Sequence, residues 1–531
     1  MTDERLTAIG DETIDLVART YPSVATQIGI HRGEEEPGGH IQDYDAELGS
    51  FTASTMEAFA SSVRGLRARV GEDDTVDAGF LRHFLDSLLL EAEGTRWWQR
   101  SPEFHVGAAL DSMFFMMERE YATAVRRARA MEARLRQLPA FLAEARETLR
   151  DTPRVVTETA ITSAREGEAF ARNVIPAWAH EHSLSIKTET AADALAAHAA
   201  WLEDEYLERS NAPAGVGDEL LARIISTNHM LSDSADDIAR RGDEMIARLS
   251  EEITEIARDL GFADWRTAVT EIKKDTPSED ELIEAYAEAM RRTQQQTAEH
   301  SLATEAPDAP LQVRATPAHW RHTVPYAAYS APAAFEDAQR GIFWVTPPDG
   351  DAEKLKDHPW PSLAITALHE GYPGHHLQLT RANRHPSRIR RLADSALFIE
   401  GWAFYCEELG WEQGLLSPQN RLFQLKDEIW RACRIVIDMR MNQGSMTPAE
   451  AVDMLVREAD LERPNAEGEV RRYAMSPGYQ MAYAIGKQEI LALRKKVQTA
   501  QGANFSLRAF HDTVLDQGSM PVALIERAIL H

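Results

Sequence analysis

The sequence predicts a mostly α-helical protein: a large helical body with a cleft, together with one small antiparallel sheet. Stretches rich in Ala, Leu, Glu and Arg, with apolar residues three and four positions apart, recur along most of the 531 residues. Breaks that contain Pro and Gly separate these stretches. Between about residues 310 and 348 the pattern changes to short aromatic or β-branched runs, which are typical of strands.

Each helical stretch has an apolar face, and several stretches follow a residue that can cap a helix. Ser234 and Ser278 are two such residues, and each precedes a long stretch. The sequence predicts helices over 46–70, 78–93, 113–150, 191–209, 234–260, 278–300, 397–409, 421–441, 448–459, 481–497 and 522–530.

Three short runs, 311–315, 326–330 and 342–345, are bounded by Pro or Gly and predict the strands of the small sheet. The strands of this sheet therefore come just before a histidine-rich segment in the sequence, and we expect the sheet to lie next to the helix that carries those histidines. Its edge could bind a peptide backbone by strand addition, or the sheet could serve packing alone. Both interpretations are compatible with the sequence.

No strong linker divides the chain, so we predict one unit over 1–531. Within it we expect a helical lobe over about 1–305. A second lobe over about 306–531 would hold the sheet and the histidine segment, with a cleft between the two.

The net charge and the number of cysteines limit the binding partners and the cellular compartment that we expect for the protein. The net charge of −28 repels nucleic acid and anionic membrane surfaces, so neither is an expected partner. Two cysteines, Cys406 and Cys433, exclude a secreted disulfide framework and favour the cytoplasm. The polar start of the chain, Met1–Arg5, is followed by no apolar signal region, and no apolar run is long enough to span a membrane.

Histidines are concentrated in one segment, His369-Glu370-Gly371-Tyr372-Pro373-Gly374-His375-His376. Imidazole is a common zinc ligand, and a Glu beside zinc-bound water can act as a general base. The segment resembles the H-E-x-x-H helix of zinc peptidases, but two additional residues separate the first His-Glu pair from the next His.

A regular helix cannot bring these histidines to one metal. His375 and His376 follow His369 by six and seven positions. At about 100° per residue, only His376 returns to the face of His369. Seven residues rise about 10.5 Å, however, whereas zinc–nitrogen distances are about 2.0–2.1 Å. An interruption at Pro373-Gly374 that loops out two residues would place His375 at the ligand position, and one that loops out three would place His376 there.

The alternative is a helix that ends at Tyr372, with histidines that only cap or pack. The grouping of three histidines, a Glu and a Pro-Gly hinge favours a metal site in which His369 and either His375 or His376 bind zinc or another divalent metal. Of the two adjacent histidines, we favour His375.

A carboxylate is expected as the third ligand, because two His and one Glu form a common catalytic zinc set. Glu400 lies inside an apolar run, where a carboxylate is either on an exposed stripe or buried and paired. Glu407 and Glu408 are competitors in a more polar turn. With Glu400 as ligand, Glu370 would be the base that deprotonates the metal-bound water.

A third cluster follows Pro477-Gly478. Tyr479 and Tyr483 are four positions apart and share a helix face, so either phenol could donate a hydrogen bond to an oxyanion opposite the metal. The alternative is a pair of core tyrosines. Arg472 and Lys487 could bind a substrate carboxylate, although ordinary surface charges are the favoured interpretation.

These motifs resemble the bacterial domain of unknown function 885 family. The residues that carry the likeness are the histidine segment, Glu400-Gly401-Trp402-Ala403, Pro477-Gly478 with Ala482-Tyr483 and Gly486-Lys487, and the opening segment from Tyr21 to His31. The likeness spans nearly the whole chain. The family is in turn similar to mostly helical zinc peptidases of the thimet-oligopeptidase, angiotensin-converting-enzyme and Taq-carboxypeptidase types. The resemblance implies a short sheet beside the zinc helix, a Glu ligand on the next helix and tyrosines opposite.

The chain departs from the family after Asp438. Many relatives have a Gly, an apolar residue and then a His there, whereas this chain has Met439-Arg440-Met441-Asn442. If that His contributes to chemistry or substrate choice, Arg440 and Asn442 imply a changed substrate or a specialised reaction, and both become candidate substrate-binding residues.

The sequence thus predicts a cytoplasmic, zinc-dependent hydrolase of the metalloprotease type that acts on short peptides. The first alternative is a metal-dependent enzyme, a C–N lyase or an amidohydrolase, that acts on a small amino-acid-derived metabolite. The second alternative is a metal-free binding protein on the same scaffold.

Overall fold

The computed structural model describes residues 3–35, 41–317, 321, 324 and 326–530, and the fold is mostly α-helical, as predicted. The helices before Gly217 are α1 (Glu4–Thr20), α2 (Pro22–Ile28), α3 (Ala53–Val70), α4 (Val76–Leu89), α5 (Trp97–Arg100), α6 (Pro102–Glu118), α7 (Ala124–Thr148), α8 (Arg154–Ala169), α9 (Ile175–Glu181) and α10 (Glu189–Trp201).

The helices after Gly217 are α11 (Asp218–Asn228), α12 (Ala235–Asp259), α13 (Trp265–Ile272), α14 (Leu282–Glu299), α15 (Ala352–Leu355), α16 (Trp360–Thr366), α17 (His375–Ala382), α18 (Arg388–Arg391), α19 (Ala396–Glu412), α20 (Pro418–Gln443), α21 (Pro448–Ala459), α22 (Arg463–Ala474), α23 (Ala482–Gln501), α24 (Leu507–Leu515) and α25 (Val522–Leu530). The strands are β1 (Arg32–Glu35), β2 (Ile41–Asp43), β3 (Leu311–Ala315), β4 (Ala327–Ser330) and β5 (Gly341–Val345).

The predicted serine caps are confirmed. The Ser234 hydroxyl accepts a hydrogen bond from the Asp237 amide at the start of α12. Ser278 and Glu281 form a capping box at a short 3₁₀ turn that leads into α14. Each cap satisfies amides that the first helical turn leaves without intrahelical partners, which fixes where the helix begins.

One predicted helix, 113–150, is divided into α6 and α7. The Thr123 side chain accepts a hydrogen bond from the Arg126 amide and so caps the second helix. The buried Arg127 guanidinium then donates to the carbonyl oxygens of Met116 and Arg119 at the end of the first, at 2.8 and 2.9 Å. These contacts satisfy the last carbonyls of α6, so a break at this position leaves few backbone groups without partners.

The sheet near the histidine segment has the strand order β3-β5-β4 and is mixed, so the prediction of an antiparallel sheet is wrong for one of its two pairs. β4 pairs antiparallel with β5, and β3 pairs parallel with β5. β3 and β4 run in opposite directions, and so do β4 and β5, so β3 and β5 point the same way. β3 and β5 are neighbours because the fully buried β5 lies at the centre of the sheet, between β3 and β4.

The chain forms two compact units. One comprises Met1–Val216, Ala333–Ala338 and Ser387–Ile389, and the other comprises Gly217–Pro332, Gln339–Pro386 and Arg390–His531. The lobe boundary expected near residue 305 therefore falls inside the second unit, and the cleft between two lobes stays a prediction. No helix in the described part of the chain is long and apolar enough to cross a bilayer.

Two helices of the second unit meet at glycines. A Cβ atom on Gly401 of α19 would lie 2.5 Å from the carbonyl carbon of Gly486 in α23, and one on Gly486 would lie 2.0 Å from the Leu397 carbonyl oxygen. Only glycine permits this approach of two backbones. The contact sets α19, which carries Glu400, directly against α23, which carries Tyr483.

Candidate metal centre

The helix that carries the histidine motif is interrupted, as the spacing requires. After α16, a π-helical turn over Ala367–Gly371 carries His369 and Glu370. The chain then leaves the helix at Tyr372, and α17 begins at His375. The interruption brings the second histidine back toward the first.

Gly374 makes this return possible. A Cβ atom at this position would lie 1.9 Å from the His369 carbonyl oxygen and 2.3 Å from that of Leu368. No side chain can occupy that space without backbone movement. The neighbouring Pro373 carbonyl accepts a hydrogen bond of 2.9 Å from the indole N–H of the buried Trp402, so α19 also holds the turn.

His369, His375 and Glu400 converge on one point. Ligand atoms from the three residues lie within 4.8 Å of one another. The two imidazole rings are nearly perpendicular, at 86°, and their centroids are 4.8 Å apart. His375 Nε2 lies 3.5 Å from Glu400 Oε2. Ligand atoms about 2.0–2.1 Å from a tetrahedral zinc are about 3.3 Å from each other, so small movements would complete such a site.

The protonation of these three residues depends on their mutual contacts. Burial alone would raise the pKa of Glu400, but the hydrogen bond and the charge of His375 hold it at about 2. Burial lowers the pKa of His369, and the neighbouring His375 lowers it further. Glu400 is therefore an anion and His369 a neutral imidazole, which are the forms that bind metals. Burial would lower the pKa of His375, but its hydrogen bond with Glu400 and the charge of that carboxylate raise it, so this ring would give up a proton when it binds a metal.

Glu407 orients the first histidine. Its Oε1 lies 2.7 Å from His369 Nδ1, and this hydrogen bond fixes the orientation of the ring. A carboxylate behind a ligating histidine fixes the tautomer and the ring orientation. The other competitor, Glu408, instead accepts from Arg421 and Lys487, at 2.9 and 3.0 Å. The structure thus brings Glu400, and neither competitor, into the triad.

His376 lies on the sheet side. Its Nε2 is 2.8 Å from the Ala309 carbonyl oxygen, so it carries the proton and donates it. Its Nδ1, 2.9 Å from the Tyr329 hydroxyl, then accepts a hydrogen bond. With both ring nitrogens engaged, His376 anchors α17 to β4, and it is His375 that the structure brings to His369.

Glu370 follows His369 on the same π-helical turn. It is half-buried. Burial raises its pKa above the ordinary value for a glutamate, and the neighbouring His375 opposes that shift. A carboxylate with a raised pKa beside a metal triad is suited to accept and return a proton.

The two tyrosines lie beside Glu400. The Tyr479 hydroxyl donates a hydrogen bond of 2.6 Å to Glu400 Oε1. Tyr483 packs edge to face against Tyr479 with ring centroids 6.0 Å apart, and the Arg434 guanidinium lies 5.0 Å over the Tyr483 ring. Tyr479 thus orients the carboxylate, and Tyr483 packs beside Tyr479.

A family model with the description "Bacterial protein of unknown function (DUF885)" matches residues 22–529. The chain belongs to this family. This confirms the resemblance that its motifs carry, and it attaches no activity, because the family itself has none assigned.

Two solved structures share the fold of this DUF885 protein. A proposed lipoprotein of unknown function from Shewanella oneidensis is 22% identical, with 99% of this chain and 100% of that chain covered and a TM-score of 0.79. A proposed lipoprotein from Colwellia psychrerythraea is 19% identical, with 99% and 98% covered and a TM-score of 0.82. A third structure, described as BsuCP, has a TM-score of 0.34, which is too low to support any argument. No curated protein matches the chain.

The four residues predicted to bind substrate are paired with other protein groups in this DUF885 chain. Arg440 binds Asp243 at 2.6 Å, and Arg472 binds Glu469 at 2.6 Å. The buried Lys487 forms ion pairs with Glu408 and Glu428, at 3.0 and 2.8 Å. The Asn442 amide donates to Asp438 Oδ1 at 2.9 Å. The triad is thus brought together without them, and their role in substrate binding stays a prediction.

The sequence reasoning missed Asp438. This buried carboxylate accepts hydrogen bonds from the Gly478 and Met481 amides, at 2.8 and 3.2 Å, and so holds the turn that carries Tyr479. Burial raises the pKa of Asp438 to about 7. The signal that identified Glu400, a carboxylate inside an apolar run, is also present at Ile435–Met439 and could have found it.

Proposed function

We propose that this protein is a metal-dependent hydrolase, with zinc as its cofactor, that cleaves short peptides. One observation carries the proposal: His369, His375 and Glu400 offer three ligand atoms within 4.8 Å of one another. Glu370 adds a half-buried carboxylate on the same π-helical turn as His369. A structural histidine cluster would not need such a carboxylate.

The donor set fits zinc. Two imidazoles and one carboxylate are a common protein set for catalytic zinc, and a fourth position would be left for water or substrate. Glu407 supplies the carboxylate behind the histidine that such sites usually contain. His369 and His375 would bind through their ring nitrogens and Glu400 through an oxygen.

Each side chain then has a defined task. Zinc, when bound, supplies the Lewis acidity that makes water acidic and a carbonyl carbon electrophilic. Glu370 takes the proton of the attacking water and returns it to the leaving amine, as a general base and then a general acid. The Tyr483 hydroxyl donates a hydrogen bond to the oxyanion that develops on the scissile carbonyl. Tyr479 keeps Glu400 in its ligating orientation.

A second candidate is a metal-dependent C–N lyase or amidohydrolase for a small amino-acid-derived metabolite. The feature that favours it is the segment after Asp438, where the family resemblance implies a Gly, an apolar residue and then a His, and this chain has Met439-Arg440-Met441-Asn442. In this chain Asn442 occupies that segment and binds Asp438, which holds the tyrosine turn. A different residue at position 442 can therefore change how Tyr479 and Tyr483 are placed relative to a substrate.

The experiment is a panel of short peptides and N-acyl amino acids, incubated with zinc-loaded protein in ¹⁸O-labelled water. We expect cleavage of at least one amide bond, with the label in the new carboxylate. A chelator should abolish cleavage and added zinc should restore it. Release of an amine without incorporation of the label would instead identify a lyase, and failure to cleave any amide would contradict the hydrolase.

The cytoplasmic location stays a prediction from the charge and the two cysteines. The two structures with the same fold are described as proposed lipoproteins, a class of protein anchored to membranes through lipid. At 19–22% identity this description belongs to those proteins and leaves the location of this chain to experiment.

A further inference from the structure

His31, the last residue of the opening segment in the family resemblance, lies between two carboxylates of the unit that contains Met1–Val216. Its Nδ1 is 3.0 Å from Asp45 Oδ1, and its Nε2 is 3.4 Å from Glu336 Oε1. The ring stacks on Tyr121, with centroids 3.7 Å apart and planes 5° apart. The proposed metal centre gives this buried cluster of charges no task.

The two contacts together require a positive ring. A neutral imidazole carries a proton on one nitrogen, so its other nitrogen would direct a lone pair at a carboxylate. Nε2 is buried from solvent, which leaves that repulsion unscreened. Burial alone would lower the pKa of His31, but its contacts with Asp45 and Glu336 and their charges raise it above the ordinary value. His31 therefore keeps its proton at a pH where an ordinary histidine has lost half of it.

Glu336 belongs to the segment 333–338, which forms part of the same unit as His31. The Phe335 amide donates a hydrogen bond of 2.9 Å to the Ile28 carbonyl oxygen at the end of α2. A Cβ atom on Gly29 would lie 3.0 Å from the Glu336 amide nitrogen, so the segment passes directly over that helix end. His31 follows two residues later and adds its charge to these contacts.

His31 is the described group of this cluster that changes charge near pH 7. The titratable and charged residues around it are Asp43, Asp45, Arg119, Tyr121, Arg126, Arg134 and Glu336. Burial would raise the pKa of Asp45, but its hydrogen bond with His31 and the charge of that ring hold it below the ordinary value. Burial raises the pKa of Tyr121 above its ordinary value of about 10. The arginines stay charged throughout the neutral range, and Arg119 binds Glu336 at 3.1 Å whether or not His31 is protonated.

The segment 333–338 connects β4 to β5, and its two ends are fixed independently of His31. The Asn383 amide, at the end of α17, donates to the Pro332 carbonyl oxygen at 3.0 Å and to Gln339 Oε1 at 2.9 Å. Neither contact contains a group that titrates near pH 7. A change of charge at His31 therefore acts on the segment and leaves its ends in place.

We propose that His31 is a pH-sensitive clasp: its imidazolium holds residues 333–338 against the end of α2, and loss of its proton to solvent as the pH rises releases them. The imidazolium donates toward Glu336 from Nε2, whereas the neutral ring presents a lone pair to the same carboxylate. The raised pKa means that the clasp is complete below about pH 6.5, the ordinary value for histidine, and weakens as the pH rises through the raised value. The inference is independent of the proposed function, since no residue of the triad takes part.

Hydrogen exchange of peptides that cover 333–338, measured by mass spectrometry between pH 6 and pH 9, tests the clasp. Protection factors are compared, because they correct for the intrinsic effect of pH on exchange. We expect protection about 10- to 100-fold greater at pH 6 than at pH 9, as a hydrogen bond between charged groups predicts. His31→Gln should show the lower protection at both pH values. Glu336→Gln removes the other charge of the pair and should do the same, even if His31→Gln does not fold.

The matched control is His180→Gln, which removes an exposed histidine of α9 and should keep the pH dependence. Peptides of α12 in the same samples report global stability and should keep their protection from pH 6 to pH 9. Constant protection of 333–338 in the wild type would overturn the clasp, as would a pH dependence that persists in His31→Gln or Glu336→Gln. An equal loss of protection in α12 would also overturn it, because the whole fold would then be losing stability.

Discussion

Glu370→Gln is expected to retain its metal and to lose about 100- to 10,000-fold in kcat. The amide has the size of the carboxylate but cannot accept the proton of the attacking water. Because Glu370 is only half-buried and the replacement keeps the size of the side chain, the fold is expected to stay unchanged. Steady-state kinetics on the best peptide of the panel, with metal analysis of the same samples, measures both quantities.

The matched control for this variant is Glu255→Gln, an exposed position on α12. It makes the same chemical change away from the triad and should keep wild-type kinetics. Undiminished turnover by Glu370→Gln would rule out Glu370 as the base. If the variant loses both its metal and its turnover, Glu370 would instead belong to the metal ligands.

Gly374→Ala is expected to abolish zinc binding and to lower the melting temperature. The new methyl group would lie 1.9 Å from the His369 carbonyl oxygen and 2.3 Å from that of Leu368, so the turn must open. Opening moves His375 away from His369, and it costs about 1–3 kcal/mol in the free energy of unfolding, as overpacking does elsewhere. Calorimetric zinc titration and thermal melting measure the two effects.

Gly468→Ala is the matched control, because the nearest atom to a Cβ there is 4.0 Å away. On the helix α22 this change should be neutral or stabilise by up to about 1 kcal/mol. If Gly374→Ala binds zinc as tightly as the wild type does, then the close approach of the turn is not what positions His375.

The helical elements followed from local signals. Ser234 and Ser278 marked where long helices begin, because a capping side chain acts within three residues of its own position. β3 was predicted with its observed limits, 311–315, since Pro310 precedes and Pro317 follows a short run that contains Leu311 and Val313. The pairing of β3 with β5 was missed, because strand order depends on a chain path that no local pattern records.

The part of the candidate centre that depends on helix geometry could be predicted from the sequence. The distance between His369 and either later histidine excluded a regular helix and made Pro373-Gly374 part of the site. The choice between His375 and His376 depends on Ala309 and Tyr329, which hold His376 from distant parts of the sequence. Long-range partners of this kind, like the contact of Glu407 with His369, become visible only once the chain is folded.

The most direct test of the account is the zinc content of wild type, His375→Ala and His376→Gln after loading and dialysis, with melting curves to confirm folding. The account predicts about one zinc ion per chain in the wild type and in His376→Gln, and none in His375→Ala. Zinc retained by folded His375→Ala but lost from folded His376→Gln would contradict it, as would a wild-type chain that binds no divalent metal.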